Sequence, residues 1–202
     1  MISVFYHLTV MVIFLVSLPL QVLIAILIMM MSGLPIVFRQ KRTGKNGAPF
    51  VMYKFRTMVN GAEKKKPAYA HLNESQGPAF KIRKDPRFTG IGAFLSHTGL
   101  DELPQLFNVL RGDMALIGPR PLPIAEAQKL KPWMRVREQI LPGIISPAIL
   151  TGKYHENFDS WMRSDVSYVK KKNAIGDVRL FLQSFSFLAR LFVRSMGMKQ
   201  ST

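Results

Sequence analysis

Two acidic side chains stand next to each other, Asp101 and Glu102, near the head of the stretch LDELPQLFNVLRGDMALIGPRP, residues 100–121. One arginine, Arg120, closes the same stretch between Pro119 and Pro121, just after Gly118. A carboxylate pair beside a guanidinium on a backbone with little freedom suits a metal-bound phosphate ester. The acids would hold the metal or attack phosphorus, and the arginine would neutralise phosphoryl oxygens. The pair also has an ordinary reading as a helix N-cap and a first-turn acid, both favoured by the helix dipole. On spacing alone caps are the commoner case; the arginine fixed between prolines tips the balance towards chemistry.

The element that must carry the pair is a short buried helix. Leu103, Leu106, Phe107 and Leu110 repeat at i, i+3, i+4 and i+7, one helical face. Proline is tolerated only in the first turn, so Pro104 places the helix start near Asp101. Gly112, one residue past Arg111, ends it.

Composition narrows the partners. The 202 residues suffice for one domain with a real core. Twenty-eight Lys and Arg against twelve Asp and Glu give a net charge of +16, which calls for nucleic acid, a phospholipid surface or a phosphorylated substrate. Nucleic acid is disfavoured, because basic residues interleaved with exposed aromatics are not found. With no cysteine there is no disulfide framework, thiolate zinc site or cysteine nucleophile.

Residues 1–38 hold no Lys, Arg, Asp or Glu, and Val10–Met31 is apolar apart from Ser17 and Gln21. As a straight helix this run reaches roughly 33 Å, enough to cross a hydrocarbon core of about 30 Å. A signal peptide is disfavoured by the length of the run and the missing basic flank. The cluster Arg39, Lys41, Arg42 and Lys45 follows and assigns the remainder to the cytoplasmic side. Pro19 kinks the run and leaves two topologies open: a spanning helix, or a re-entrant one whose ends share the cytoplasmic face.

The remaining elements read as follows. IVFRQKR and PFVMYKFRTM flank Asn46-Gly47, a hairpin signal, and alternation puts Met52, Lys54 and Arg56 on one face. By itself that face is a solvated basic edge. Residues 59–80 read as a mobile loop of the kind that orders over a substrate. PIAEAQKLKPWMRVREQILPG reads as broken helix, its Trp133 among cations suiting a headgroup region. Residues 179–198 form an amphipathic helix with Arg179, Gln183, Ser186, Arg190 and Arg194 as its polar stripe. It is suited to lie in a membrane interface, a helix packed on the core being the competing account.

DELPQLFNVLRGDM followed by IGPRP, together with YKFRTM, resembles the signature of the monotopic phosphoglycosyl transferases, the bacterial sugar transferase family. Weaker similarity covers roughly residues 10–185. The fold expected is α+β and mainly helical, in the small catalytic-domain-only form. A Pro-broken re-entrant membrane helix over residues 1–38 would precede a cytoplasmic catalytic domain over 39–178 with a small β-hairpin, and residues 179–202 would form an interfacial helix and tail. The resemblance implies a bacterial inner-membrane location and transfer of a sugar 1-phosphate from a UDP-sugar to polyprenol phosphate. It further implies Asp101 as nucleophile, Asp101 and Glu102 as Mg²⁺ ligands, and Lys54, Arg56 and Arg120 on the phosphates. Lys153, closing the loop 142–153, joins the substrate-binding set, as does Asp165, whose ordinary reading is a salt bridge with Lys170 or a neighbour.

This chain departs from the family pattern in three places. Leu18 rather than serine precedes Pro19, Ser96 and Gly99 stand where an Arg and a Ser are usual, and PGIISPAILTGK replaces a loop nearer PGITGLWQVSGR. The last change points to an altered nucleotide or sugar pocket. Two rival readings accompany the enzyme: an inactive membrane-anchored scaffold, and a protein that binds anionic polymers by charge alone.

Overall fold

The apolar run folds as one helix, α1 (Val4–Ser32), which continues through Pro19. A computed structural model describes residues 4–74, 77–80, 82 and 84–197 of the chain. The two polar residues of the run satisfy each other, Ser17 Oγ donating to Phe14 O at 2.9 Å and Gln21 Nε2 to Ser17 Oγ at 3.0 Å. One face of α1 is apolar and open, with Val4, Phe5, Leu8, Val12 and Val16 more than half exposed. The other face lies on the rest of the protein. Val10 is fully buried with Met52, Val109 and Met114, while Ile24 and Ile28 pack with Phe55 and Leu95. Near the first turn, the Tyr6 hydroxyl accepts the Leu116 amide at 2.7 Å.

The hairpin forms as its sequence predicts. Strands β1 (Val37–Thr43) and β2 (Pro49–Phe55) pair antiparallel, with Val37 opposite Phe55 and Thr43 opposite Pro49. Asn46 and Gly47 take the left-handed conformation at the turn, at φ 54° and 77°. Met52, Lys54 and Arg56 face inward, so the basic side of the strand is not simply solvated. Among the described residues of the stretch 59–80 there is one 3₁₀ segment, Pro67–Leu72, and the stretch is tied to the body through Arg87. Arg87 is buried, forks onto Asp85 at 2.6 and 2.9 Å, and donates to Ala62 O at 3.1 Å.

Helix α2 (Gly92–Thr98) ends at Gly99, whose φ of +74° is the left-handed cap that glycine adopts without strain. The acid pair follows at once on a 3₁₀ turn, Leu100–Glu102, and α3 (Gln105–Leu110) begins only after Pro104. The helix therefore starts later than its acids. Proline has no N–H to give Leu100 O, so the α-type ladder cannot form across it and restarts one turn on. Gly112 closes the segment, as its position predicts, with φ +78°. The buried face of α3 is Gln105, Leu106, Asn108 and Val109, whereas Phe107 is 47% exposed.

A parallel pair not foreseen from the sequence follows: β3 (Ala115–Ile117) beside β4 (Gly143–Ile145). Between them the broken-helix segment gives α4 (Ile124–Ala127) and a 3₁₀ stretch, Pro132–Gln139. Its Trp133 packs against the core of Leu122, Met134, Trp161 and Met162, with the Arg163 guanidinium 5.3 Å from its ring centre, rather than standing free for headgroups. Helices α5 (Pro147–Leu150), α6 (Phe158–Lys171) and α7 (Ala174–Gly197) complete the chain. Helix α7 starts ahead of the expected residue 179, packs on the body along one side and leaves an apolar row open on another. Ser184 faces the body, Phe192 meets Phe94 edge-on at 6.1 Å, and Ile175, Val178, Leu182 and Phe185 form an exposed apolar row.

Asn108 joins α3 to the hairpin and carries a test of this packing. Wholly buried, it accepts from Tyr53 N at 3.1 Å and donates to Val51 O at 2.7 Å and Asp113 Oδ2 at 3.1 Å. Asn108→Ala leaves buried backbone groups unpaired and is expected to cost about 1–3 kcal/mol, read as a lowered midpoint in chemical denaturation.

Candidate active site

The acid pair reaches its neighbours because three elements converge on the 3₁₀ turn. Gly99 turns the chain out of α2, strand β2 lies alongside, and the segment after β3 brings Arg120 back. Neither acid caps a helix; each meets a cation instead. Asp101 is 4% exposed, and Lys54 Nζ on β2 donates to its Oδ2 at 3.5 Å. Arg120 Nη1 donates to Glu102 Oε1 at 2.6 Å. Arg120 is delivered by a backbone crossing in which Gly118 lies against Pro142 and Gly143. A side chain on Gly118 would meet Leu141 O at 2.7 Å and Gly143 N at 2.8 Å, so only glycine allows the crossing.

Burial governs the electrostatics. It pushes the Asp101 carboxyl up to about 6, Lys54 opposing the rise and Glu102 adding to it. Glu102 in turn holds the Arg120 guanidinium above its ordinary range against the effect of burial. Lys54 and Arg120 open onto a cleft of about 980 Å³, whose wall also holds Arg42, Arg56 and Lys66 and the rings of Tyr154 and Trp161. Asp101 and Glu102 stand behind the two cations rather than in the cleft wall.

The structure thus brings together Asp101, Glu102, Lys54 and Arg120. Arg56 lines the same cleft, but its guanidinium is occupied: Nη2 donates to Gly33 O at 2.7 Å and to Ser32 O, and Nη1 to Asn60 Oδ1 at 2.9 Å. It caps the carbonyl end of α1, where a cation also complements the helix dipole. Asp165 is fully buried, behind the site. There Arg137, equally hidden, donates to its Oδ2 through Nε at 3.0 Å and Nη2 at 2.8 Å. The surface pairing of Asp165 with Lys170 is not formed. The same Nη2 donates to the backbone carbonyl of Arg120 at 2.5 Å, so the pair holds Arg120 from behind. Lys153 lies apart, exposed and paired with Glu156 at 2.6 Å.

Arg137 was not anticipated from the sequence, since it looks like one of several cations in a basic run and its partner stands 28 residues away. The sequence presents Arg42 only as one of the cations that follow the apolar run. Among the described residues no cluster of three metal-ligating side chains occurs. Asp101 and Glu102, adjacent hard-oxygen donors, would be the residues to hold a magnesium ion.

The chain belongs to the bacterial sugar transferase family, whose model matches residues 2–190. It is 38% identical over 152 residues to the galactosyl transferase CpsE of Streptococcus agalactiae, covering 75% of this chain and 34% of that one. It is 34% identical over 163 residues to the undecaprenyl-phosphate galactose phosphotransferase of Salmonella typhimurium, covering 79% and 34%. To the putative undecaprenyl-phosphate N-acetylgalactosaminyl 1-phosphate transferase of Bacillus subtilis it is 45% identical over 106 residues, covering 52% and 53%. The matched region spans between a third and about half of the length of these relatives.

The raised Asp101 carboxyl is directly measurable. In metal-free protein its carboxyl carbon is expected to titrate near pH 6 by ¹³C NMR of labelled aspartate. Lys54 favours the carboxylate, so Lys54→Met moves the midpoint to higher pH. The sign for stability is that burial favours the neutral acid: this contribution is present at low pH and is lost as pH rises from the ordinary 3.8 to about 6.

Proposed function

We propose that the protein transfers a sugar 1-phosphate from a UDP-sugar to polyprenol phosphate, releasing UMP, at the face of a membrane. The observation that carries this reading is a buried Asp101 beside a half-buried Glu102, each paired with a cation that opens into a cation-lined cleft. A diphosphate entering the cleft takes over Lys54 and Arg120 and frees the carboxylates they hold. Asp101 then attacks the β-phosphorus. A carboxylate oxygen–phosphorus bond forms, the bond to the UMP oxygen breaks, and its electron pair leaves with UMP. In the second half-reaction an oxygen of polyprenol phosphate attacks the same phosphorus and Asp101 leaves as carboxylate. Lys54 and Arg120 neutralise phosphoryl charge in both steps.

Asp101 and Glu102 would hold Mg²⁺, which when bound supplies charge neutralisation on the diphosphate. Arg137 and Asp165 act from behind, fixing the backbone of Arg120. The membrane reading rests on the open apolar face of α1 and the exposed row on α7. Tyr6 and Val10 near one end of α1, and Ile24 and Ile28 near the other, rest on the same folded body. A spanning helix would part these contacts by the thickness of a bilayer, so this packing supports the re-entrant topology. The positive flank of α1 supports placing that body on the cytoplasmic side of a bacterial inner membrane.

Detergent-solubilised protein given Mg²⁺ and a panel of UDP-sugars without acceptor is expected to release about one equivalent of UMP and to gain the mass of a sugar phosphate. Polyprenol phosphate then makes the release catalytic. Asp101→Asn lowers it by roughly 10³-fold or more, and EDTA abolishes it until Mg²⁺ is returned. No release with any donor from folded protein would favour the scaffold reading.

The topology has its own test, because the chain has no cysteine to interfere. Val4→Cys is expected to resist an impermeant thiol reagent applied to intact cells and to react after permeabilisation. Labelling from outside would establish the spanning helix.

A further inference from the structure

The cations of the cleft differ in what already occupies them. Lys54 faces Asp101, Arg120 faces Glu102, Lys66 faces Glu63 at 2.8 Å and Arg87 forks onto Asp85. Arg56 is taken up by carbonyls and Asn60. Arg42 is different. Among the described residues no carboxylate lies within ion-pair distance of it, and its hydrogen bond runs from Nη1 to Pro121 O at 2.9 Å. Its Nε is buried without a partner.

The backbone around Arg42 is fixed with respect to Arg120. Arg42 bridges Pro123 across the chain, Thr43 N donates to Leu122 O at 2.9 Å, and the Nη1 bond lands one residue past Arg120. With Nη1 committed, the edge left over is Nε with Nη2, the side-on fork that fits two oxygens of one phosphate. Two guanidinium groups held close together in a half-buried wall repel each other unless an anion joins them. In keeping with this, burial and the neighbouring Arg120 bring the Arg42 guanidinium down to about 10.

We propose that Arg42 is a substrate-binding residue whose side-on edge takes the phosphate that stays with the nucleoside of the donor, next to the phosphate that Arg120 and Asp101 handle. This rests on the donor reading above. The lipid acceptor also carries a phosphate, so the test separates the two.

The probes are UDP and UMP, titrated calorimetrically into the full-length solubilised protein, with the KM for polyprenol phosphate measured in parallel. Arg42→Gln is expected to weaken UDP by about 10- to 100-fold, the range of a charge-assisted hydrogen bond. UMP should weaken similarly, while the acceptor KM and the thermal midpoint stay near native. Arg42→Lys keeps the charge but loses the fork, and should lie between.

Native UDP affinity in folded Arg42→Gln overturns the proposal. So does a rise in acceptor KM with UDP affinity unchanged, which would assign the residue to the lipid phosphate. Should Arg42→Gln fail to fold, Arg42→Lys decides, and UDP affinity equal to native in that variant is fatal. Native protein that binds UDP through Arg42 yet releases no UMP sinks the transferase reading and leaves this assignment standing. Native protein that binds no UDP sinks both.

Discussion

The molecule is organised around a carboxylate kept out of water beside a second carboxylate. Left alone, such a pair would repel and would be driven towards protonation by the loss of solvent. Lys54 and Arg120 relieve this in the resting protein, and much of the surrounding structure exists to hold those two cations in place. Lys54 is fixed by the register of the hairpin, which Asn108 ties to the helix after the acid pair. Arg120 is fixed by its own prolines, by the glycine crossing, and by a buried Arg137–Asp165 pair beneath its carbonyl. Breaking a buried pair of that kind leaves an unmatched charge inside, so it fixes geometry more than it adds stability.

The core of the site was legible because it is nearly contiguous. Asp101, Glu102 and Arg120 fall within one stretch, and Lys54 announced itself through the alternation of its strand and the resemblance of YKFRTM. Burial and pairing were not legible. That Arg56 clasps the end of the long apolar helix, or that Asp165 meets Arg137, depends on partners 23 to 28 residues away that carry no local signature. Lys153 stood in the matched loop, yet its neighbour Glu156 takes it to the surface. The parallel pair β3 and β4 has three residues in each strand, too short for any periodicity to declare itself. Phe107 fitted a helical stripe by spacing, but the stripe that is buried runs through Asn108, a polar residue no hydrophobic pattern would choose.

The two long helices serve different surfaces of the same body. Helix α1 rests its inner face on the hairpin and on α2 and α3, with its open surface apolar but for His7 and Thr9 near its start. Helix α7 divides its circumference three ways, into a stripe against the body, an apolar row and a polar row that includes Arg179 and Arg190. That division explains why its sequence supported two accounts at once. The end of α1 and the cleft are also mechanically joined, because the guanidinium that caps the helix is part of the cleft wall. Any tilt of α1 against the body is therefore felt in the wall of the cleft.

The crossing of Gly118 over Gly143 is a contact between two main chains, with no side chain from either residue involved. A joint of that kind transmits position without depending on the identity of what flanks it. The loop that follows Gly143 can thus depart from the family pattern, as Ser146-Pro147 and the residues up to Lys153 do here, while the arginine on the other side keeps its place. A fixed arginine and the loop that leads to Tyr154 in the cleft wall are separated at this crossing by two hydrogen atoms, so that loop can change its side chains without moving the cations beside the acid pair.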